Sequence, residues 1–135
     1  MSATPFNWSE YLSLAEELGN RATDEAALRT AISRAYYYVF HLALQRAERN
    51  GFTTSRGESS HIKLWTLFTM SPEPSCLSLG QIAMRLKEKR ERADYNSHFA
   101  RIEEEIPPTL ADARRFEALL STLADRHPNP ASVRR

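Results

Sequence analysis

Apolar side chains recur every three to four residues along most of the chain, and no stretch shows the strict alternation that is typical of a β-strand. The longest periodic segment begins after Thr23, a predicted N-cap, and ends near Asn50-Gly51. Its apolar stripe is widened by neighbouring aromatic residues. The stripe and these residues comprise Leu28, Ile32, Ala35, Tyr36, Tyr37, Tyr38, Val39, Phe40, Leu42 and Ala43. A helix that is apolar on most sides must be buried centrally or face a partner chain.

Four other segments share this spacing and have recognisable boundaries. The first runs from Asn7 to Gly19 with Ser9 as N-cap, and the third begins at Ser59 or Ser60. Prolines in Ser71-Pro-Glu-Pro-Ser75 end the third, and Ser78 is the predicted cap of the fourth. The last opens at Pro107-Pro108 and ends at His127-Pro-Asn-Pro130. The pattern predicts an all-α bundle of four or five helices in one domain, 1–135, with a frayed tail over 126–135.

Composition narrows the possible functions. The net charge of +1 over 135 residues gives no global attraction for nucleic acid, so any basic surface must be local. A single cysteine, Cys76, excludes an internal disulfide and a multi-cysteine zinc site, and its Ser/Pro-rich surroundings predict an unreactive thiol in a connector. No apolar run reaches the length of a membrane span, and the N-terminus does not resemble a signal peptide. We therefore expect a cytoplasmic protein that does not act on membranes.

The most basic run, from Arg85 to His98, allows two interpretations. It can be a solvated helix with Arg90–Asp94 and Glu88–Arg92 ion pairs, or part of a site that holds or cleaves RNA. In a helix, Arg92 and His98 would differ by about 120° around the axis, whereas Arg90, Asp94 and His98 would lie closer to one face.

A second polar set lies within the aromatic helix. Arg34, Tyr38 and His41 share one helical face and could hold a phosphate, or could make structural hydrogen bonds to a neighbouring helix. His61 is expected to be solvated or capping in a first turn, and His127 is expected to be exposed.

Candidate metal ligands are His41, His61, His98 and Asp94, but no two histidines have the spacing of a ligand pair, so we predict no metal and no cofactor. The chain also has neither a Gly-rich phosphate loop nor a nucleophile elbow. The chemistry that remains is metal-free acid–base catalysis by His, with Arg stabilising an anion.

Two motifs together resemble the HEPN superfamily of small helical bundles. Ser33-Arg-Ala-Tyr-Tyr-Tyr-Val-Phe-His41 is similar to the Arg-x-Tyr-Tyr-x-x-Phe-His helix of its stand-alone prokaryotic members, and Arg90-Glu-Arg-Ala-Asp-Tyr95 is similar to their Arg-x-x-Ala-Asp-Tyr signature. Ser60-His61 before an apolar helix resembles the third helix of that group. The matches span roughly Thr30 to His98, most of the domain.

The resemblance implies an up-and-down bundle that forms a homodimer and cleaves RNA without metal, as part of a toxin–antitoxin, CRISPR-linked or anti-phage system. The active motif of such enzymes is an Arg followed, after four to six residues, by a His, and Arg92-Ala-Asp-Tyr-Asn-Ser-His98 fits it. Arg92 and His98 would then be catalytic. The residues that would support the site or hold RNA are Arg90, Asp94, Tyr95, Asn96, Arg34, Tyr38 and His41.

An alternative is that the domain cuts nothing. The Arg of the Ala-Asp-Tyr signature aligns with Arg90, and many members of that branch lack a following catalytic His. The domain would then bind nucleotide, nucleic acid or a partner protein, such as a nucleotidyltransferase antitoxin.

Overall fold

The computed structural model describes residues 4–21, 24–55 and 57–132. Five α-helices account for most of this length: α1 (Ser9–Arg21), α2 (Glu25–Arg49), α3 (Glu58–Thr69), α4 (Pro74–Tyr95) and α5 (Ile102–Thr122). A short 3-10 helix follows at Pro130–Ser132. Strands are absent from the described residues. The prediction of an all-α bundle of four or five helices is confirmed.

Helix α2 lies at the centre of the bundle and contacts each of the other four helices. Tyr36, Val39 and Ala43 are completely buried, and Tyr38 and Phe40 are nearly so. Of the two alternatives for so apolar a helix, burial within its own chain accounts for most of the aromatic surface. Tyr37 and His41 remain half-buried and border open surface.

The core has two parts. The larger part joins all five helices around Tyr36, Trp65 and Phe116. The smaller part lies between the first half of α2, the end of α4 and the beginning of α5, and contains Leu28, Ile32, Ala93, Phe99, Ile102 and Ile106. We call residues 92–102 the α4–α5 corner, because this segment joins α4 to α5. Phe99 and Ile102 fasten the corner to the smaller core.

Three helix starts differ from their predicted caps. In α1, the side chain of Asn7 accepts a hydrogen bond from the Ser9 amide at 3.1 Å, so Asn7 rather than Ser9 caps the first turn. Helix α2 is capped by Asp24, whose carboxylate accepts from the Ala27 amide at 2.9 Å, whereas the predicted cap Thr23 lies outside the described residues. Helix α3 begins at Glu58 after Gly57, not at Ser59 or Ser60.

Helix α4 begins four residues before the predicted cap Ser78. Pro74 occupies the first turn, where a missing N–H has no consequence, and the Glu73 carboxylate accepts from the Ser75 amide at 3.4 Å. Cys76 is therefore not in a connector but completely buried in the core, where burial raises the pKa of its thiol. We still expect an unreactive thiol, because burial disfavours the thiolate and not because Cys76 lies in a connector.

Helix α5 begins at Ile102, five residues before the predicted start at Pro107-Pro108. Both prolines stand within the helix and are exposed. They cannot donate to the carbonyls of Glu103 and Glu104, but those carbonyls lie in the first turn and can be solvated. Burial of Ile102 and Ile106 favours helix formation ahead of the prolines.

The segment after α5 packs back on the end of α2. Arg46 donates to the carbonyl oxygens of Leu120 and His127 at 3.1 and 3.0 Å, and Asn50 donates to that of Pro128 at 3.1 Å. His127 is half-buried, not exposed as predicted, with Nε2 3.8 Å from a Glu73 carboxylate oxygen. Of the predicted frayed tail, 133–135 lie outside the described residues.

Candidate functional site

The predicted catalytic pair lies at the α4–α5 corner, but not on one helix. Helix α4 ends at Tyr95. Arg92 therefore belongs to the last turn of α4, whereas His98 lies three residues beyond the end of the helix. The prediction that Arg90, Asp94 and His98 share a helical face is therefore wrong, because the helix stops before His98. The guanidinium of Arg92 lies 4.3 Å from the centre of the Phe99 ring, and the imidazole of His98 is exposed.

Arg29 fastens this corner to α2. Its two terminal nitrogens donate to four carbonyl oxygens at the end of α4: those of Arg92 at 3.4 Å, Ala93 at 2.9 Å, Asn96 at 2.6 Å and Ser97 at 3.2 Å. The last carbonyls of a helix have no partner within the helix, and a guanidinium neutralises the negative end of its dipole. His98 follows directly on this anchored segment, and buried Phe99 comes next.

Sequence reasoning missed Arg29. Its only signal is its position one turn before Ser33, on the side of α2 that carries the predicted polar residues. Nothing in the local pattern identifies the carbonyls that it contacts more than 60 residues later.

The two motifs that suggested a family meet beside this corner. The Ser33 hydroxyl donates to an Asp94 carboxylate oxygen at 3.2 Å, and Arg34 Nη2 donates to the same hydroxyl at 3.2 Å. A surface depression of about 510 Å³ lies here, lined by Arg29, Thr30, Ser33, Arg34, Ala93 and Asp94. The structure thus brings Arg34 and Asp94 of the predicted supporting set together, with two cations at an open surface.

Arg90 is completely buried, so it is not part of a solvated helical face. Its guanidinium lies 5.3, 5.5 and 5.8 Å from the ring centres of Tyr36, Tyr37 and Tyr95. Aromatic ring faces attract a cation, and this attraction grows where water is excluded. Arg90 therefore holds the motif helices together from inside, whereas Tyr95 is mostly exposed.

The hydroxyl of Tyr38 makes its hydrogen bond with α5. It donates to the Glu117 carboxylate, and burial, followed by Glu117, raises the pKa of Tyr38. Arg114 pairs with Glu117 at 3.2 Å and with Glu16 at 2.6 Å on the same side. Arg34 and Tyr38 lie one turn apart on α2, but their side chains have different partners: Arg34 contacts Ser33 and Tyr37, whereas Tyr38 bonds Glu117.

His41 lies on a different open surface, stacked on Trp8 with ring centres 3.4 Å apart and planes at 4°. Burial, then the charges of His61 and Arg34, lower the pKa of His41 to about 4. Its imidazole is therefore neutral at pH 7. Arg34 lies 5.1 Å from the ring centre of Tyr37, which in turn is 6.5 Å from the His41 ring, so one aromatic surface joins the two predicted residues.

His61 is buried, contrary to the prediction of a solvated or capping residue. Its Nδ1 is 2.6 Å from the Tyr36 hydroxyl, which accepts a hydrogen bond from Trp65 Nε1 at 3.0 Å. The ring also stacks on Phe40, with centres 4.0 Å apart. The first turn of α3 is turned toward α2, and the sequence alone does not specify that orientation.

Within residues 4–21, 24–55 and 57–132, no three His, Cys, Asp or Glu side chains are grouped closely enough to hold a metal ion. Over the same residues, no helix combines the length and the apolar character needed to cross a membrane.

Comparisons of the chain with protein-family models, with curated proteins and with solved structures found no match.

Proposed function

We propose that this protein is a metal-independent endoribonuclease of the HEPN type, acting as a homodimer in a toxin–antitoxin or anti-phage system, with Arg92 and His98 catalytic. The observation that carries the proposal is the anchored α4–α5 corner. Arg29 holds the backbone from Arg92 to Ser97. Phe99, the residue directly after His98, is buried and fixes the chain on the other side of His98. An exposed imidazole on a fixed backbone and a partly exposed guanidinium in the same corner are the groups that metal-independent RNA cleavage requires.

The local charge supports an anionic ligand at the corner and not elsewhere on the basic run. Arg85 and Lys89 are paired with Asp112 and Glu105, each at 3.2 Å. Arg92 makes no ion pair with any described residue and is partly exposed over Phe99. Arg29 and Arg34 line the adjoining depression. RNA phosphates would therefore meet the guanidinium groups of Arg92 and Arg34, whereas that of Arg29 is engaged with backbone carbonyls of the corner and with Glu25.

The reaction needs only proton transfers and charge stabilisation. His98 takes the proton of a 2′-hydroxyl, the 2′ oxygen attacks the adjacent phosphorus, and the bond from phosphorus to the 5′ oxygen breaks. Arg92 stabilises the charge that develops on the phosphoryl oxygens. In a dimer that joins two corners, the second imidazole protonates the leaving 5′ oxygen.

The test is RNA cleavage in EDTA by the wild type, His98→Ala and Arg92→Ala. His127→Ala and Arg49→Ala are matched controls outside the corner. Removal of a general acid–base group should lower the rate by about 10²- to 10⁴-fold. The controls should cleave like the wild type. Unchanged cleavage by His98→Ala would remove His98 from the mechanism.

A second candidate is a module that binds nucleotide, nucleic acid or a protein partner, such as a nucleotidyltransferase antitoxin, without cutting RNA. It is favoured by the burial of Arg90, the signature Arg, beneath three tyrosine rings. If the residues of the Arg-x-x-Ala-Asp-Tyr signature serve to pack the bundle, their presence does not require a catalytic role. This candidate predicts no cleavage under any ionic condition, and tight association with the product of a neighbouring gene.

A further inference from the structure

Two ion pairs join α4 to α5 along the line where the helices meet, which we call the α4–α5 seam. Arg85 Nη2 lies 3.2 Å from a carboxylate oxygen of Asp112, and Lys89 Nζ lies 3.2 Å from one of Glu105. The helices run antiparallel, since the later residue of α4 contacts the earlier residue of α5. At both levels of the seam, a cation on α4 therefore faces a carboxylate on α5.

The next level of the seam places a cation on each helix. Arg92 follows Lys89 by three residues, about 4.5 Å along α4, and the same step back along α5 reaches Ile102. Ala93 and Ile102 belong to the same smaller core, which supports this register. The residues directly before them are Arg92 and Arg101. The carboxylate that would continue the row of ion pairs is thus replaced by a second guanidinium.

Neither guanidinium at this level has a carboxylate partner. Arg92 is partly exposed and Arg101 is exposed, and neither makes an ion pair with any residue of the described ranges. Glu105 is already ion-paired, and the exposed carboxylates of Glu103 and Glu104 follow in the first turn of α5. These carboxylates keep the surrounding charge low, so an anion would be bound by the two guanidinium groups and not by a broad basic surface.

The backbone at Arg101 is unusual for an arginine. Its φ and ψ are 56° and 42°, in the left-handed region where Cβ is crowded and Gly or Asn is the usual residue. Its side chain also makes no hydrogen bond that caps α5. Neither the backbone conformation nor the start of the helix explains an arginine here. Unfavourable backbone conformations are concentrated at functional sites, and binding by the guanidinium provides a reason for this one.

We propose that Arg101 is a substrate-binding residue of the corner, and that it binds the RNA phosphate adjoining the scissile phosphate that Arg92 contacts. This inference rests on the proposed ribonuclease function and adds a residue that neither motif contains. Guanidinium groups bind phosphate oxygens through paired N–H donors, and each such contact makes binding salt-dependent. Loss of Arg101 should therefore raise KM and leave kcat nearly unchanged, whereas loss of Arg92 should lower kcat.

The probe is a single-stranded RNA with 2′-O-methyl groups, which attack by the 2′ oxygen cannot cleave, and binding is measured by fluorescence anisotropy between about 50 and 200 mM salt. Arg101→Asn removes the charge and keeps a residue that tolerates the left-handed backbone, so it should melt no lower than the wild type. It should bind at least about fivefold more weakly at the lower salt concentration, and the slope of log affinity against log salt should fall by about 0.7.

Two further variants serve as controls. Arg101→Lys keeps the charge and should retain the salt slope of the wild type. Arg126→Asn makes the same substitution at an exposed arginine in the turn after α5, and should bind like the wild type.

Weaker binding and a smaller salt slope in Arg101→Asn alone, at an unchanged melting temperature, support the proposal. Equal binding by Arg101→Asn and the wild type would overturn it, as would absence of binding by the wild type or an equal loss in Arg126→Asn. A clearly lower melting temperature of Arg101→Asn would assign Arg101 a structural role and would also overturn it.

The same set of measurements separates this inference from the ribonuclease proposal. If the wild type binds the methylated RNA but leaves unmodified RNA intact, the ribonuclease proposal fails, and the effect of Arg101→Asn on affinity is still measured. If the wild type cleaves RNA and Arg101→Asn has the same KM and the same affinity, only the role of Arg101 fails.

Discussion

Replacement of Arg29 by alanine tests whether the α4–α5 corner is assembled as described. The change removes donors to four carbonyl oxygens at 2.6 to 3.4 Å. A hydrogen bond to a charged group contributes about 1.5–3 kcal/mol, but the two nitrogens share their hydrogens among four acceptors at a partly wet surface. We therefore expect a loss of about 2–4 kcal/mol in the free energy of unfolding. The exposed pair with Glu25 adds little.

For a chain of this size each kcal/mol lowers the melting temperature by about 3–4 °C, so Arg29→Ala should melt roughly 6–16 °C below the wild type. Thermal unfolding measures this, with Arg49→Ala, an exposed arginine of the same helix, as control. Hydrogen exchange should accelerate at the amides of the corner more than in the middle of α2. If RNA is cleaved, the rate should also fall, because Arg29 positions His98 without touching substrate.

A melting temperature within about 1 °C of the wild type would refute this reasoning, since the expected loss is several times larger. Unchanged exchange at the corner would show that buried Phe99 and Ile102 hold the segment without help from Arg29.

Three further predictions concern single groups. The folded-state pKa of His41, about 4, lies below its ordinary 6.5, so its stabilising contribution is complete above pH 6.5 and is lost as pH falls toward 4. After a discount for partial solvent exposure, this contribution is about 1–2 kcal/mol. The free energy of unfolding, measured in urea, should therefore differ less between pH 7.5 and pH 5 in His41→Phe than in the wild type, by that amount. An equal difference in the two proteins would contradict this prediction. A Cβ at Gly80 would lie 2.6 Å from Thr69 Cγ2. Gly80→Val should therefore lower the free energy of unfolding by about 1–3 kcal/mol in the same assay. A variant as stable as the wild type would argue against this close packing. Trp65→Phe removes the donor to the Tyr36 hydroxyl and leaves space in the core. The free energy of unfolding should fall by about 1–3 kcal/mol, which lowers the melting temperature by several degrees. An unchanged melting temperature would mean that this hydrogen bond does not stabilise the fold.

The helical content and the central place of α2 were predictable, because burial of an apolar stripe imposes its period on the sequence. Helix starts were less predictable. Ser78 resembles a cap, but Pro74 is acceptable in a first turn and Glu73 supplies the carboxylate. Pro107 resembles a start, but burial of Ile102 begins α5 earlier. Packing between residues distant in sequence determined these helix boundaries, and local helix propensity alone does not predict them.

The candidate site was predictable as a set of residue types but not as an arrangement. The two motifs do meet, through Ser33 and Asp94. Periodicity placed His98 on α4, yet the helix ends at Tyr95, and the contacts of Arg29 with this end are between residues distant in sequence. His61 was misjudged because only the docking of α3 on α2 decides whether a first-turn side chain faces solvent or Tyr36.

The most direct test of the proposed ribonuclease is the chemistry of the RNA ends that it produces in EDTA. Attack by the 2′ oxygen predicts 2′,3′-cyclic phosphate and 5′-hydroxyl ends, made by the wild type and not by His98→Ala. Intact RNA after incubation with the wild type, or 3′-hydroxyl and 5′-phosphate ends, would contradict the account.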